Sequence, residues 1–195
     1  MKKNEIILVC TPIKQLIPNT VESTLIFPTN LVSNSTSPLL KNYNFKEGKF
    51  RWSNISNMEK DYDYINNFYE KSLSILSKNL NEYHNKQYTE NYWRILIGPW
   101  LASFYFILFE RYYALKNCFD EFEIDKINML NFKNMKEFIP NEMFDYVRFQ
   151  QDDLWNQSIY QELIQVFFSK EKKISLTDYN ETWNIKNKSD KNIIS

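Results

Sequence analysis

The sequence predicts an α/β fold: helix-rich, with a small, mostly parallel sheet and long packed helices. Three observations carry that prediction. Two short apolar runs closed by turn residues stand near the start of the chain. A long stretch from Asn57 to Tyr83 holds neither Gly nor Pro and repeats its apolar residues every three or four positions. The chain has 195 residues, of which 17% are aromatic, enough to fill a substantial core and too apolar for a disordered segment. Strands mixed with helices over one core read as α/β.

Taken in order, "EIILVC" (Glu5 to Cys10) reads as a buried strand that ends in the turn Thr11-Pro12. "STLIFP" (Ser23 to Pro28) is a second strand, closed by its proline. Thr29 to Gly48 is rich in Ser, Thr, Asn and Pro and reads as a long surface loop. The Asn57–Tyr83 stretch is an amphipathic helix. Met58, Tyr62, Ile65, Tyr69, Leu73, Leu76, Leu80 and Tyr83 form its stripe, and Glu59, Lys60, Glu70, Lys71 and Lys78 lie off it. Thr89 can cap a following short helix, with Glu90 well placed in the first turn. Gly98-Pro99 is expected to end that helix near Ile97, and Pro99 to start another running to about Asn117. No residue between Arg94 and Glu110 is charged. So divided, the stretch is too short and broken to cross a bilayer, which takes about 20 apolar residues; a core helix is expected, with 101–109 inside. "FEIDKINML" (Phe122 to Leu130) suggests a strand, "NEMFDYVRFQ" is open between states, and Asp152 or Asp153 caps a helix from Leu154 to Phe168. "KISLTD" is a last strand. The domain expected is 1–179, with a polar tail over 180–195.

Composition excludes several function classes. Lys plus Arg and Asp plus Glu are 24 each, so there is no basic excess for nucleic acid. Cys10 and Cys118 are far apart and form neither a metal motif nor a disulfide framework, which points to a reducing cytoplasm. Lys2 and Lys3 precede "IILVC", an apolar run too short for a signal-peptide core. With only Gly48 and Gly98, no glycine-rich phosphate loop can form. No residues have metal-ligand spacing, and no cofactor is implied. The chain is rich in Asn and Lys, so sequons such as those at Asn34, Asn54, Asn156 and Asn180 are expected by chance. Against that background the four arginines, Arg51, Arg94, Arg111 and Arg148, mark places where a planar two-pronged donor is needed.

One constellation stands out: His84, Thr89, Tyr92, Trp93, Arg94, Gly98, Pro99 and Trp100. Arg94 can clamp a phosphate or carboxylate with both prongs. Trp and Tyr can stack on a flat apolar face and still offer a donor. A helix starting at Pro99 would add backbone N–H groups. The other reading stays open: Trp93 and Trp100 as core, Arg94 as half of a salt bridge, and His84 as a structural histidine. Asp152-Asp153 could hold a cation, though helix capping accounts for the pair.

"LNEYHNKQYTENYWRILIGPWL" (Leu80 to Leu101) resembles the signature of a transferase family of bacterial surface-carbohydrate (O-antigen) biosynthesis clusters. The matching positions are His84, Thr89, Tyr92, Trp93, Arg94, Gly98, Pro99, Trp100 and Leu101. "FRWSNISNMEKDYDY", "FERYYAL" and "DDLWNQSIYQELI" resemble flanking segments, so the likeness runs from about Phe50 to Phe168. "LIFPTNLVSN" stands where the family has a Gly-Glu-Trp-type turn. The resemblance implies one lobe of a two-lobed glycosyltransferase, the N-terminal, acceptor-side part of a longer chain, without the donor-binding lobe.

Three expectations follow. In the first, the chain acts in transfer to a sugar or lipid-linked sugar acceptor. Catalytic roles then fall to His84 (general base) and Arg94, and substrate-binding roles to Arg51, Thr89, Tyr92, Trp93, Gly98 and Trp100. The missing C-terminal lobe would be a partner. In the second, it is a non-enzymatic interaction domain. In the third, it is cytoplasmic but peripheral at the inner membrane. Neither nucleic acid nor a transmembrane segment enters any of them.

Overall fold

The computed structural model describes residues 4–28, 37–168, 173–179 and 183. Sequon positions Asn34 and Asn180, and all of the 180–195 tail except Trp183, lie outside them. The chain divides into two compact units. The first comprises residues 1–49 and 114–195, the second Phe50–Tyr113.

The first unit is built on five parallel strands: β1 (Ile6–Val9), β2 (Thr24–Phe27), β3 (Asn44–Glu47), β4 (Lys126–Phe132) and β5 (Lys173–Tyr179). Their order is β3-β2-β1-β4-β5. Ile7 pairs with Leu25 on one side and Lys126 on the other. Burial on both faces explains the unbroken apolar runs of β1 and β2, since a parallel sheet has no wet side. Alternate residues divide between the faces. Leu8, Cys10, Ile26, Ile127 and Met129 join Leu115, Cys118, Tyr160 and Ile164 in one cluster. Ile7, Val9, Leu25, Phe27 and Leu130 join Leu16, Leu40 and Tyr179 in the other. The α/β expectation is met, and the sheet is wholly parallel.

In this unit two details differ from the sequence expectations, and one open stretch takes a definite form. The supposed loop from Thr29 to Gly48 contains a short helix, α1 (Ser37–Leu40), and the edge strand β3. The latter's exposed pattern, Asn-Phe-Lys-Glu, gave no apolar run to read. The strand after Phe122 starts later, at Lys126, and runs to Phe132. The undecided stretch after Pro140 is α4 (Met143–Phe149). Then comes α5 (Asp153–Leu163), whose first turn is capped by the Asp152 carboxylate accepting from the N–H groups of Leu154 and Trp155. It continues as one π-helical turn, Ile164–Phe168. Trp183 is anchored, its ring 4.6 Å from Phe149 and 4.8 Å from Phe138, its Nε1 donating to Asp152.

The second unit is a helical pair. α2 (Ile55–Tyr83) is the expected long helix, its N-cap Asn54 accepting from the Ser56 N–H. α3 (Glu90–Glu121) corrects the expectation of two helices: it is one, with Pro99 inside it. α3 gives its residues to Tyr113 to this unit and the rest to the first. The chains of the pair run antiparallel, as Tyr62–Phe106, Phe68–Tyr105 and Arg94–Glu70 contacts require. Leu101 is buried, but 102–109 are only half-buried, so that run is not the core it was expected to be. Among the described residues α3 is one helix long and apolar enough to cross a membrane by length and composition, with 17% of its apolar window buried inside the fold.

Candidate functional site

Arg51 and Trp52 sit in a 3-10 turn (Arg51–Ser53) just before α2. Arg51 grips Asp61 with two prongs, Nε to Oδ2 at 2.5 Å and Nη2 to Oδ1 at 2.8 Å. The Trp52 indole N–H donates to the same carboxylate at 2.9 Å. Asp61 is 4% exposed. Burial pushes its carboxyl up, but the Arg51 and Trp52 hydrogen bonds and the Arg51 charge outweigh that and hold it below its usual range. The bond to Asp61 raises the Arg51 guanidinium in turn. Its flat face lies 4.0 Å from the Tyr113 ring. Asp61 thus holds Arg51 by Nε and Nη2, and the fork ties the turn to α2.

The turn between α2 and α3 explains the positions of His84 and Thr89. α2 ends in a Schellman arrangement. Lys86 N–H reaches Asn81 C=O at 2.8 Å, Asn85 N–H reaches Glu82 C=O, and Asn85 takes the left-handed conformation (φ 50°). His84 is the C-cap before it, with an exposed ring. Asn81 then stitches the connection. Its amide donates to Tyr88 C=O and accepts from Tyr88 N–H and from the Trp93 indole at 3.0 Å. Thr89 caps α3 as expected, its hydroxyl oxygen accepting from the Tyr92 N–H, with Glu90 in the first turn. Trp93 is buried, its ring 5.9 Å from His84 and 5.2 Å from Tyr92. His84, Thr89, Tyr92 and Trp93 thus come together.

Arg94 and Gly98 belong to a groove along the helix pair, about 360 Å3, with Tyr62, Tyr69, Pro99 and Phe106 among its walls. Arg94 is held by two carboxylates: both Glu70 oxygens at 2.7 Å and Glu90 at 3.1 Å. The Glu70 bonds raise the guanidinium above its usual range and lower the Glu70 carboxyl. With its fork already filled, Arg94 meets a ligand anion only if Glu70 gives way. Gly98 is where Tyr69 comes closest. A Cβ there would lie 2.7 Å from the Tyr69 hydroxyl. Trp100 is half-buried and stacks on Phe104 at 5.3 Å.

A larger hollow adjoins the groove through Tyr62 and Phe106. It measures about 600 Å3 and is lined by Trp52, Met58, Glu59, Tyr62, Asp63 and Phe106. Sequence reasoning read Met58 and Tyr62 as a packing stripe. The signal that could have found the hollow is "MEKDYD": Glu59, Tyr62 and Asp63 share one helix face at spacings of three and four. In the first unit, open parallel sheets bind ligands where strand order reverses, here at the carboxyl ends of β1 and β4. There Thr11 is buried and its hydroxyl donates to Gln157, which donates to Gln161, whose amide bonds both polar groups of the Leu130 backbone. That chain ties the Thr11 turn to the backbone of β4. Among the described residues no three His, Cys, Asp or Glu side chains gather as metal ligands.

A family model described as "LIC12162 family transferase" matches residues 6–195. No curated protein and no solved structure matches the chain.

Proposed function

The chain belongs to the LIC12162 family of transferases, and from that premise we propose that it forms the acceptor-side part of a glycosyltransferase-like enzyme. Its pathway is bacterial surface-polysaccharide (O-antigen) biosynthesis, its place the cytoplasm at the inner membrane, its acceptor a sugar or lipid-linked sugar. The donor nucleotide belongs to another lobe. Thr11-Pro12, the first turn after β1, has no glycine at which backbone could approach a phosphate. The single observation that carries this reading is the family match over residues 6–195. His84, exposed beside Trp93, is the general base of the proposal, and Arg94, set by Glu70, faces the acceptor groove.

The test is complementation of a strain lacking the gene. His84→Ala and Arg94→Ala are each expected to shorten or abolish the O-antigen ladder while the purified variants keep their helical circular dichroism. A full ladder with both variants ends the assignment.

A second reading, an interaction module without chemistry of its own, is favoured by the outward apolar residues of α3, Ile95 (82% exposed) and Leu96 (61%). It predicts a stable complex on pull-down from the native host, lost in Ile95→Glu. A chain that binds nothing ends it.

A further inference from the structure

We propose that the hollow lined by Trp52, Met58, Glu59, Tyr62, Asp63 and Phe106 seats one uncharged or amino-bearing pyranose ring. Only its identification with the acceptor rests on the transferase reading; the binding does not.

The walls have the chemistry of such a site. Three rings form a continuous row, Trp52 to Phe106 at 6.1 Å and Phe106 to Tyr62 at 6.0 Å. A pyranose has an apolar face of C–H groups and a rim of hydroxyls. The rings meet the face, and carboxylates accept from the rim. Glu59 and Asp63 stand one helical turn apart, on either side of Tyr62 in sequence, and supply those acceptors. None of the six lining residues is basic, so phosphate and uronate groups meet two carboxylates and no counter-charge. The volume, about 600 Å3, is in the range of small-molecule sites. It is far larger than a single ammonium group needs.

The platform is also fixed before any ligand arrives. The indole of Trp52 donates to Asp61, which Arg51 holds with two prongs. Phe50 meets its edge at 6.0 Å and Phe109 lies parallel to it at 6.4 Å. An immobile ring loses little freedom on binding, which favours affinity. Arg51, expected from the sequence to touch substrate, becomes a positioning residue here, acting through Asp61 on Trp52.

Saturation-transfer NMR and titration calorimetry on the full chain test this. The probes are the methyl glycosides of glucose, galactose, N-acetylglucosamine and glucosamine, with methyl glucuronide and choline as controls. At least one neutral or amino glycoside is expected to bind with millimolar affinity, and glucuronide and choline about tenfold more weakly or not at all. Tyr62, 56% exposed, can be replaced without opening a core. Tyr62→Ala is expected to weaken binding about tenfold, and Glu59→Gln to narrow the gap between neutral and acidic probes. The proposal is overturned if no glycoside binds the folded chain, if glucuronide or choline binds as tightly, or if Tyr62→Ala binds like the wild type. Glycoside binding by a chain without transfer activity would support this subsite and sink the transferase reading. Retained transfer with unchanged binding in Tyr62→Ala would do the reverse.

Discussion

At the scale of single residues, the arginines were the most informative letters. The expectation that a retained arginine marks a need for a planar fork holds for Arg51 on Asp61 and Arg94 on Glu70, both two-pronged. The partners were less legible, because a carboxylate that meets a fork ten or twenty-four positions away leaves no local pattern. Asp61 has the sharper consequence. It takes three hydrogen bonds while nearly buried, so Asp61→Asn is expected to cost about 2 kcal/mol at neutral pH. Its folded carboxyl is held below the usual range. The stabilisation is therefore complete above the ordinary carboxylate value, about 3.9, and is lost as pH falls through the depressed one. Thermal melts of both proteins between about pH 6 and pH 2 check this. The gap in melting temperature should be widest at the top of that range and close toward the bottom. A gap that is constant with pH would mean that charge plays no part.

At the scale of elements, helix period and caps were readable and interruptions were not. α2 lies within two residues of its expected ends, and Asp152 caps α5 as its position suggested. α3 shows the limit. Gly-Pro reads as a break because proline removes one N–H and crowds the preceding turn. Tertiary packing overrides that here: α3 lies along α2 through Tyr69, Glu70, Tyr62 and Phe106, contacts distant in sequence. Gly98 admits the Tyr69 hydroxyl, and the side chain of Ile95, whose carbonyl loses its donor to Pro99, faces solvent. A proline inside a helix costs about 3 kcal/mol relative to alanine. Pro99→Ala is therefore expected to stabilise the protein, by about 1–3 kcal/mol once relaxation around Gly98 is allowed for. Urea unfolding followed by circular dichroism reads this directly. A variant less stable than the wild type would show that Pro99 makes contacts worth more than the missing hydrogen bond.

At the scale of the molecule, the α/β character and membership of a transferase family were legible in the sequence, while the division into two units was not. Its second boundary, Tyr113–Ala114, falls within α3. A continuous helix gives no linker to read, although the Phe50–Tyr113 unit is far richer in aromatic residues than the rest of the chain. The first unit carries its own probe of global opening. Cys10 follows β1, Cys118 lies near the end of α3, and both belong to one buried cluster of the sheet. Burial, then the charge of Glu121, pushes the Cys118 thiol up to about 12 against an opposing hydrogen bond at Gly48. Burial, then Cys118, pushes Cys10 well above its usual range. Both thiols thus stay protonated at pH 8 and out of reach of a disulfide reagent, since the thiolate is the reactive form. In native buffer neither should react on the timescale of a free thiol, and in guanidinium both should. Because the two share one packed face, they should also react together as denaturant rises, at a midpoint matching loss of helical signal. Early release of Cys118 alone would show that the end of α3 opens without the sheet. The ordering would then run from that helix inward, with β1, paired on both sides by β2 and β4, the last element to yield.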